Sequence, residues 1–130
     1  SQDYTFQAMD AAFPGSKFIL TVRASEDEWF QSLVRFQTKR LQKGRRPTPE
    51  DLRASTYVYP GWAWRVKELV YGPAEDTLFQ EDLYKAHYRR HNERVQDYFR
   101  HRPDDLLNLA DDDAMQSLCR FLGRPWTGQA

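Results

Sequence analysis

Cysteine is scarce in this sequence, long apolar runs are missing, and neither sign of charge is in excess. The one cysteine, Cys119, has no partner for an internal disulfide, which argues against a disulfide-stabilised secreted domain. No segment approaches the roughly 18 apolar residues that a membrane helix needs, and the polar first residues do not resemble a signal peptide. We therefore expect a cytoplasmic protein without a membrane partner.

The 19 basic and 19 acidic residues cancel, so the net charge predicts no nucleic-acid partner. Basic side chains nevertheless cluster between residues 35 and 46. This basic strip either attracts a polyanion, as a nucleic-acid-binding module or a site for an acidic sugar acceptor would, or only complements the dipole at a helix end. Its members are Arg35, Lys39, Arg40, Lys43, Arg45 and Arg46.

Apolar residues, by contrast, make up 40% of the 130 residues and aromatic residues 15%. This composition and length predict one folded domain over residues 1–130. Residues 17–23, KFILTVR, form an unbroken apolar run, which is typical of a strand covered on both faces. A second, shorter strand is expected at residues 106–109, LLNL.

Helical periodicity occupies most of the remaining chain and predicts about five helices. Residues 1–12 form a short helix or an irregular lead-in, and the clear helices are expected at 25–43, from 48, at 62–71, at 75–100 and at 114–122. Strands joined through long helical connections pair in parallel. The fold class is therefore α/β, part of an open parallel sheet in which helices dominate this chain.

Arg23 ends the first strand where the next helix begins. Ligands of open α/β sheets bind beyond the carboxyl ends of the strands, and a guanidinium group suits phosphate. A nearby hydroxyl, Ser25 or Ser32, would complete an anion site. The alternative is that Arg23 pairs with a carboxylate and that Ser25 only caps the helix, in a capping box with Glu28.

Three segments resemble the P-loop sulfotransferase family. Residues 13–23, FPGSKFILTVR, followed by EWFQS at 28–32, are similar to the central block of that family. Two further segments are similar to later blocks of one branch of that family. They are HNERVQDYF at 91–99, which leads into DLL at 105–107, and LCRFLGRP at 118–125. The three segments occur in the family's order and cover most of the chain.

This resemblance implies a P-loop NTPase-like fold and transfer of a sulfuryl group from 3′-phosphoadenosine 5′-phosphosulfate (PAPS) to a hydroxyl or amine, without a metal. It implies that Arg23 and Ser32 grip the 3′-phosphate of PAPS or of its product, 3′-phosphoadenosine 5′-phosphate (PAP). The spacing from Arg23 to Ser32 is one residue longer than is usual in the family, which leaves Ser25 as the alternative hydroxyl.

The family's Gly-rich phosphate loop, and the general base that follows it, have no counterpart in residues 1–130. We therefore expect this chain to carry the 3′-phosphate half of the donor site and not to catalyse transfer alone, and no catalytic residue is identified. The alternative is a non-catalytic interaction protein on a truncated sulfotransferase scaffold. Self-association into a homo-oligomer, or a preceding N-terminal segment, would then cover the exposed sheet edge.

Two further clusters have both a functional and a packing interpretation. His87 and His91 are four residues apart, as in a zinc pair, but no third ligand is evident and we expect no metal. The aromatic stretch after residue 56 either lines an acceptor pocket or stacks an adenine, or it packs in a core or dimer face. Its members are Tyr57, Tyr59, Trp62 and Trp64.

Overall fold

The computed structural model describes residues 5–41, 44–110 and 114–128, which form six α-helices and one two-stranded parallel sheet. Short 3-10 turns at Glu75–Thr77 and Pro103–Asp105 precede the fifth helix and the second strand. The predicted α/β class, with helices dominating, is confirmed. The elements are α1 (Phe6–Ala12), β1 (Phe18–Thr21), α2 (Glu26–Leu41), α3 (Pro49–Ala54), α4 (Trp62–Tyr71), α5 (Glu81–Tyr98), β2 (Leu106–Leu109) and α6 (Ala114–Phe121).

The chain divides into two compact units. The first unit consists of the described residues of Ser1–Ala24 and Arg90–Ala130, and the second of those of Ser25–Arg89. Helix α5 runs through the boundary, so its N-terminal half belongs to the second unit and its C-terminal half to the first. The first unit is therefore built from two separate stretches of chain, whereas the second is one stretch.

The sheet of the first unit pairs β1 with β2 in parallel, as predicted. The register runs from Phe18 opposite Leu106 to Thr21 opposite Leu109. The N–H of Val22 donates to the carbonyl of Leu109 at 3.0 Å and continues the pairing past the end of β1. The first strand is thus shorter than the predicted 17–23, and Arg23 lies two residues beyond it.

The described residues cover one face of β1. Leu20 is only 6% exposed and belongs to an apolar cluster with Phe6, Val95 and Phe99. Ile19, whose side chain points to the opposite face, is 44% exposed. The prediction that both faces are covered is therefore wrong, because an apolar run alone does not say whether anything packs on its second face.

A buried ion pair connects α1 to the segment that follows α5. Asp10 is 8% exposed and accepts hydrogen bonds from two nitrogens of Arg102, at 2.6 and 2.9 Å, and from the Tyr98 hydroxyl at 2.7 Å. The Arg102 guanidinium and the Tyr98 hydroxyl lower the pKa of Asp10 from 3.8 to about 2. These bonds satisfy a carboxylate that would otherwise be costly to bury.

The second unit contains two apolar clusters, one around Phe30, Phe79 and Tyr84 and one around Leu52, Ala63 and Trp64. The predicted helix at 75–100 begins later than expected, since α5 starts at Glu81. Phe79 has a left-handed backbone with a φ of 56° and is 5% exposed. Burial of its ring in the first cluster offsets the cost of that conformation, which breaks the helix before α5.

Lys67 is a buried cation that joins the end of α4 to the following 3-10 turn. Its ammonium donates to the carbonyl of Gly72 at 2.8 Å, to the carbonyl of Ala74, and to the hydroxyl of Thr77 at 2.7 Å. Each of its three N–H donors therefore has an acceptor. This arrangement gives Lys67 a structural role, because no donor remains for a ligand.

We predict that replacing Asp10 with Asn weakens the acid dependence of stability. The folded-state pKa of Asp10, about 2, lies below its ordinary value of 3.8. The stabilisation is thus fully present above the higher value and is lost as the pH falls towards the lower one. Urea denaturation should show that the free energy of unfolding falls more between pH 4 and pH 2 in the wild type than in Asp10→Asn.

The matched control is Asp97→Asn, which changes an exposed carboxylate paired with Arg100 in the same unit. It should leave the acid dependence close to that of the wild type. Equal acid slopes for the wild type and Asp10→Asn would contradict the prediction.

Candidate functional site

Arg23 lies at the carboxyl edge of the sheet in the first unit. Because β1 and β2 are parallel, both strands end at this edge, and the bond between Val22 and Leu109 marks where they end. Arg23 follows directly and is exposed. Arg23 is therefore at the edge of the sheet beyond which open α/β sheets bind their ligands.

Ser25 caps helix α2 in the second unit. Its Oγ accepts a hydrogen bond from the backbone N–H of Glu28 at 3.0 Å, which is one half of the predicted capping box. The hydroxyl retains its own proton and can still donate one hydrogen bond. Capping and phosphate binding by Ser25 are thus chemically compatible.

The first turn of α2 carries three carboxylates, on Glu26, Asp27 and Glu28. Arg89 donates to both carboxylate oxygens of Glu26, at 2.6 and 2.8 Å, and lowers its pKa. Lys85 donates to Asp27. These acids already complement the positive end of the helix dipole, so the start of α2 attracts a further anion less than an uncharged first turn would.

Ser32 lies in the second turn of α2 and is half-buried. Glu28 precedes it by four residues, which places both side chains on one face of the helix. A phosphate that accepts a hydrogen bond from Ser32 would therefore approach the Glu28 carboxylate. Ser32 itself is two turns from Ser25.

The structure assigns Arg23 to the first unit, and Ser25 and Ser32 to the second. Ser32 lies within α2 and Ser25 caps the start of that helix, so α2 fixes the position of both hydroxyls. That Arg23 forms a joint 3′-phosphate site with either serine stays a prediction.

The basic strip serves partly as local structure. Arg45 pairs with Asp51 at 2.5 Å and holds the pKa of that carboxyl well below its usual range. Asp51 in turn forms a capping box with Thr48 at the start of α3. Arg40 contacts aromatic rings, while Lys43 lies outside the described residues. The strip is therefore not a uniform row of solvated cations.

The aromatic stretch divides between packing and exposure. Trp64 is buried in the second apolar cluster of its unit, whereas Tyr57 and Tyr59 are 50% and 49% exposed. Tyr57 meets Trp62 edge-on, with ring centroids 5.4 Å apart. Part of this stretch is thus core and part is available to a ligand.

The two histidines contact different aromatic rings. His87 contacts Tyr71 at 5.2 Å between ring centroids, and His91 contacts Phe6 at 6.2 Å. Among the described residues, no group of three or more His, Cys, Asp or Glu is arranged to hold a metal ion. In the same part of the chain, no helix is both long and apolar enough to cross a membrane.

Sequence reasoning missed the particular setting of Arg40, which it treated as one cation of a strip. The available signal was Phe36, four residues earlier on the same helix and hence on the same face. The contact between Arg40 and Tyr57 could not be predicted, because Tyr57 lies on a separate loop and helical periodicity does not show which loop residues contact a helix.

A family model described as a sulfotransferase domain matches residues 3–129. Neither the search of curated proteins nor the search of solved structures found a match. The matched range runs from before α1 to beyond α6 and includes all three segments that resemble the sulfotransferases. The chain therefore belongs to the sulfotransferase domain family.

Proposed function

We propose that this chain binds the 3′-phosphate of PAPS, or of its product PAP, as part of sulfuryl transfer to a hydroxyl or amine acceptor. Arg23 supplies the principal contact, with Ser32 or Ser25 as the hydroxyl donor. The observation that carries the proposal is an exposed arginine two residues beyond the end of β1, in a chain whose residues 3–129 match a sulfotransferase domain.

The chemistry of Arg23 suits a terminal phosphate. Its guanidinium stays protonated at any physiological pH and offers a planar fork of donors that matches two phosphate oxygens. The preceding backbone is fixed by the bond between Val22 and Leu109, so the side chain extends from a rigid base. When bound, the donor supplies the sulfuryl group, and Arg23 would position the nucleotide at its 3′-phosphate without taking part in bond cleavage.

Two features support Ser32 over Ser25 as the hydroxyl. The Ser25 oxygen is already engaged as the helix cap, and it adjoins the acidic first turn. Ser32 has no such structural duty among the hydrogen bonds of the described residues. The nearby Glu28 carboxylate argues against Ser32, because its negative charge would repel a phosphate on the same face of the helix.

A second candidate function is protein interaction or self-association without catalysis. It is supported by the uncovered face of β1 in the first unit, where Phe13 is 66% exposed and Ile19 44%. These two residues and Met9 line an open groove of about 420 Å³. Contiguous exposed apolar side chains beside a sheet edge are typical of a contact surface.

The first prediction of the donor-binding proposal is that Arg23→Ala weakens PAP binding selectively. A hydrogen-bonded charge pair contributes about 1.5–3 kcal/mol, so calorimetry should show a roughly 10- to 100-fold rise in the dissociation constant. Adenosine 5′-phosphate, which lacks the 3′-phosphate, should bind the wild type and Arg23→Ala equally.

The matched control for Arg23 is Arg120→Ala, which removes an exposed arginine of α6 from the same unit. Arg120→Ala changes the net charge by the same amount as Arg23→Ala, but it should leave the affinity for PAP unchanged. An absence of PAP binding by the folded wild type, or an equal loss in both variants, would overturn the proposal.

Substitution of Ser25 should affect stability, whereas substitution of Ser32 should affect the affinity for PAP. Ser25→Ala removes the cap of α2 and should lower the free energy of unfolding by about 1 kcal/mol, with PAP affinity little changed. Ser32→Ala should lower PAP affinity with stability nearly unchanged, because no hydrogen bond within the described chain is lost. Thermal denaturation and calorimetry on the same samples distinguish these outcomes, and a reversed pattern would make Ser25 the phosphate ligand.

The interaction candidate predicts that the apolar face of β1 mediates association. Sedimentation of the wild type should then show a mass that rises with concentration, and Ile19→Lys should remain monomeric because a charge cannot be buried there cheaply. Leu69→Lys, which changes a residue of α4 that is 68% exposed, is the control. A wild type that is monomeric at every concentration would count against self-association.

A further inference from the structure

Arg40 carries a charge that has no carboxylate partner among the described residues. Its Nη2 donates to the side-chain oxygen of Gln37 at 2.6 Å. Its Nε is buried and has no acceptor within the described part of the chain. Most arginines that lose contact with water gain a carboxylate in return. The charge of half-buried Arg40 therefore remains available to an anion, as does its Nη1, which makes no hydrogen bond within the described residues.

Aromatic rings take the place of that missing carboxylate. The Arg40 Cζ lies 4.6 Å from the centre of the Tyr57 ring, 5.6 Å from that of Phe36 and 5.8 Å from that of Trp62. Ring faces attract a cation, but they add no negative charge and accept no strong hydrogen bond. The rings thus orient the guanidinium plane and leave its charge uncompensated.

A strained turn presents Tyr57 to this guanidinium. Val58 has a φ of 66°, and the N–H of Tyr59 donates to the carbonyl of Tyr57 at 2.9 Å across it, which defines a γ-turn. A positive φ is costly for a β-branched residue, and such strain concentrates at binding sites. The N–H of Gly61, donating to the carbonyl of Ser55 at 3.0 Å, closes the loop. The loop holds Tyr57 half-exposed beside Arg40.

A recess of about 410 Å³ opens at this point, within the size range of small-molecule sites. Its lining includes Arg40, Asp51, Ser55 and Tyr57. The Asp51 carboxylate is bound by Arg45 and by the Thr48 N–H, at 2.5 and 2.9 Å. Because Asp51 is neutralised in this way, the lining has a net attraction for anions.

We propose that this recess binds a small organic anion, with its oxyanion group on the Arg40 guanidinium and a flat apolar body against the Tyr57 ring. Carboxylate, sulfate and phosphate share the required chemistry, since each accepts two hydrogen bonds from a guanidinium fork. Stacking on Tyr57 selects for a planar group next to the anion. All the residues involved belong to the second unit, and the site does not depend on the donor contact at Arg23.

The test follows the Arg40 Nε–H resonance by nitrogen–proton correlation spectroscopy during titration. Benzoate, phenyl sulfate and phenyl phosphate are the probes, and the one that binds most tightly identifies the anionic group. Benzyl alcohol, which keeps the ring without charge, and inorganic sulfate, which keeps charge without the ring, are the matched controls. We expect saturable shifts with at least one aryl anion, and binding at least about tenfold weaker for both controls.

Arg40→Gln should weaken binding of the best probe at least about tenfold, followed through the Trp62 indole N–H. Arg35→Gln, which removes an exposed cation of the same helix, should not weaken it. If Arg40→Gln does not fold, Tyr57→Ala is the second variant, because a half-exposed side chain tolerates truncation better. It should weaken the binding of aryl anions and leave the binding of inorganic sulfate unchanged. No shift with any aryl anion, equal binding of benzyl alcohol or of inorganic sulfate, or full affinity in Tyr57→Ala would overturn the proposal.

Discussion

Parallel pairing of β1 with β2 is the constraint on which the first unit depends. Four residue pairs, from Phe18 with Leu106 to Thr21 with Leu109, join two stretches of chain that are separated by the whole of Ser25–Arg89. Leu20 of β1 packs in one apolar cluster with Val95 of α5 and with Phe99, which directly follows that helix. The same pairing fixes the position of Arg23, because that residue follows the last paired position of β1.

The charged side chains of the described residues lie in very different environments. Asp10 is buried with Arg102 and Tyr98, a fully hydrogen-bonded arrangement. Two of the three acids at the start of α2, Glu26 and Asp27, pair with cations of α5 near the surface, where such pairs contribute little to stability. Arg40 contacts ring faces, which leave its charge uncompensated. A net charge of zero therefore conceals environments with very different affinity for an incoming anion.

The sequence predicted those features that depend on neighbouring residues. The strand at 106–109, the helix expected from residue 48 and the helix at 62–71 were all correct, because periodicity and cap chemistry are local signals. Helix 75–100 began too early, since the left-handed Phe79 is imposed by a tertiary cluster and not by its own propensity. The cover expected on both faces of β1 was wrong for a similar reason.

The candidate sites show the same division. The position of Arg23 near the carboxyl edge of the sheet was predictable, because strands and helix starts can be read from the pattern, although β1 ends two residues earlier than expected. The contacts of Arg40 were not, since they depend on the unusual backbone of Val58, which no propensity for valine predicts. The pairing of Asp10 with Arg102 could not be predicted either, because the two residues are 92 positions apart and no local pattern connects them.

The division of the first unit into two stretches has a consequence for synthesis. As the chain leaves the ribosome, β1 emerges first, and β2 follows only after every residue of the second unit. The second unit is continuous and can therefore fold while β1 waits without its partner. During that interval the apolar segment Phe18–Thr21 lacks β2, with which it pairs, and the Val95 and Phe99 side chains that pack on Leu20. Newly made protein is thus most vulnerable to misassembly through the same strand that later organises the first unit.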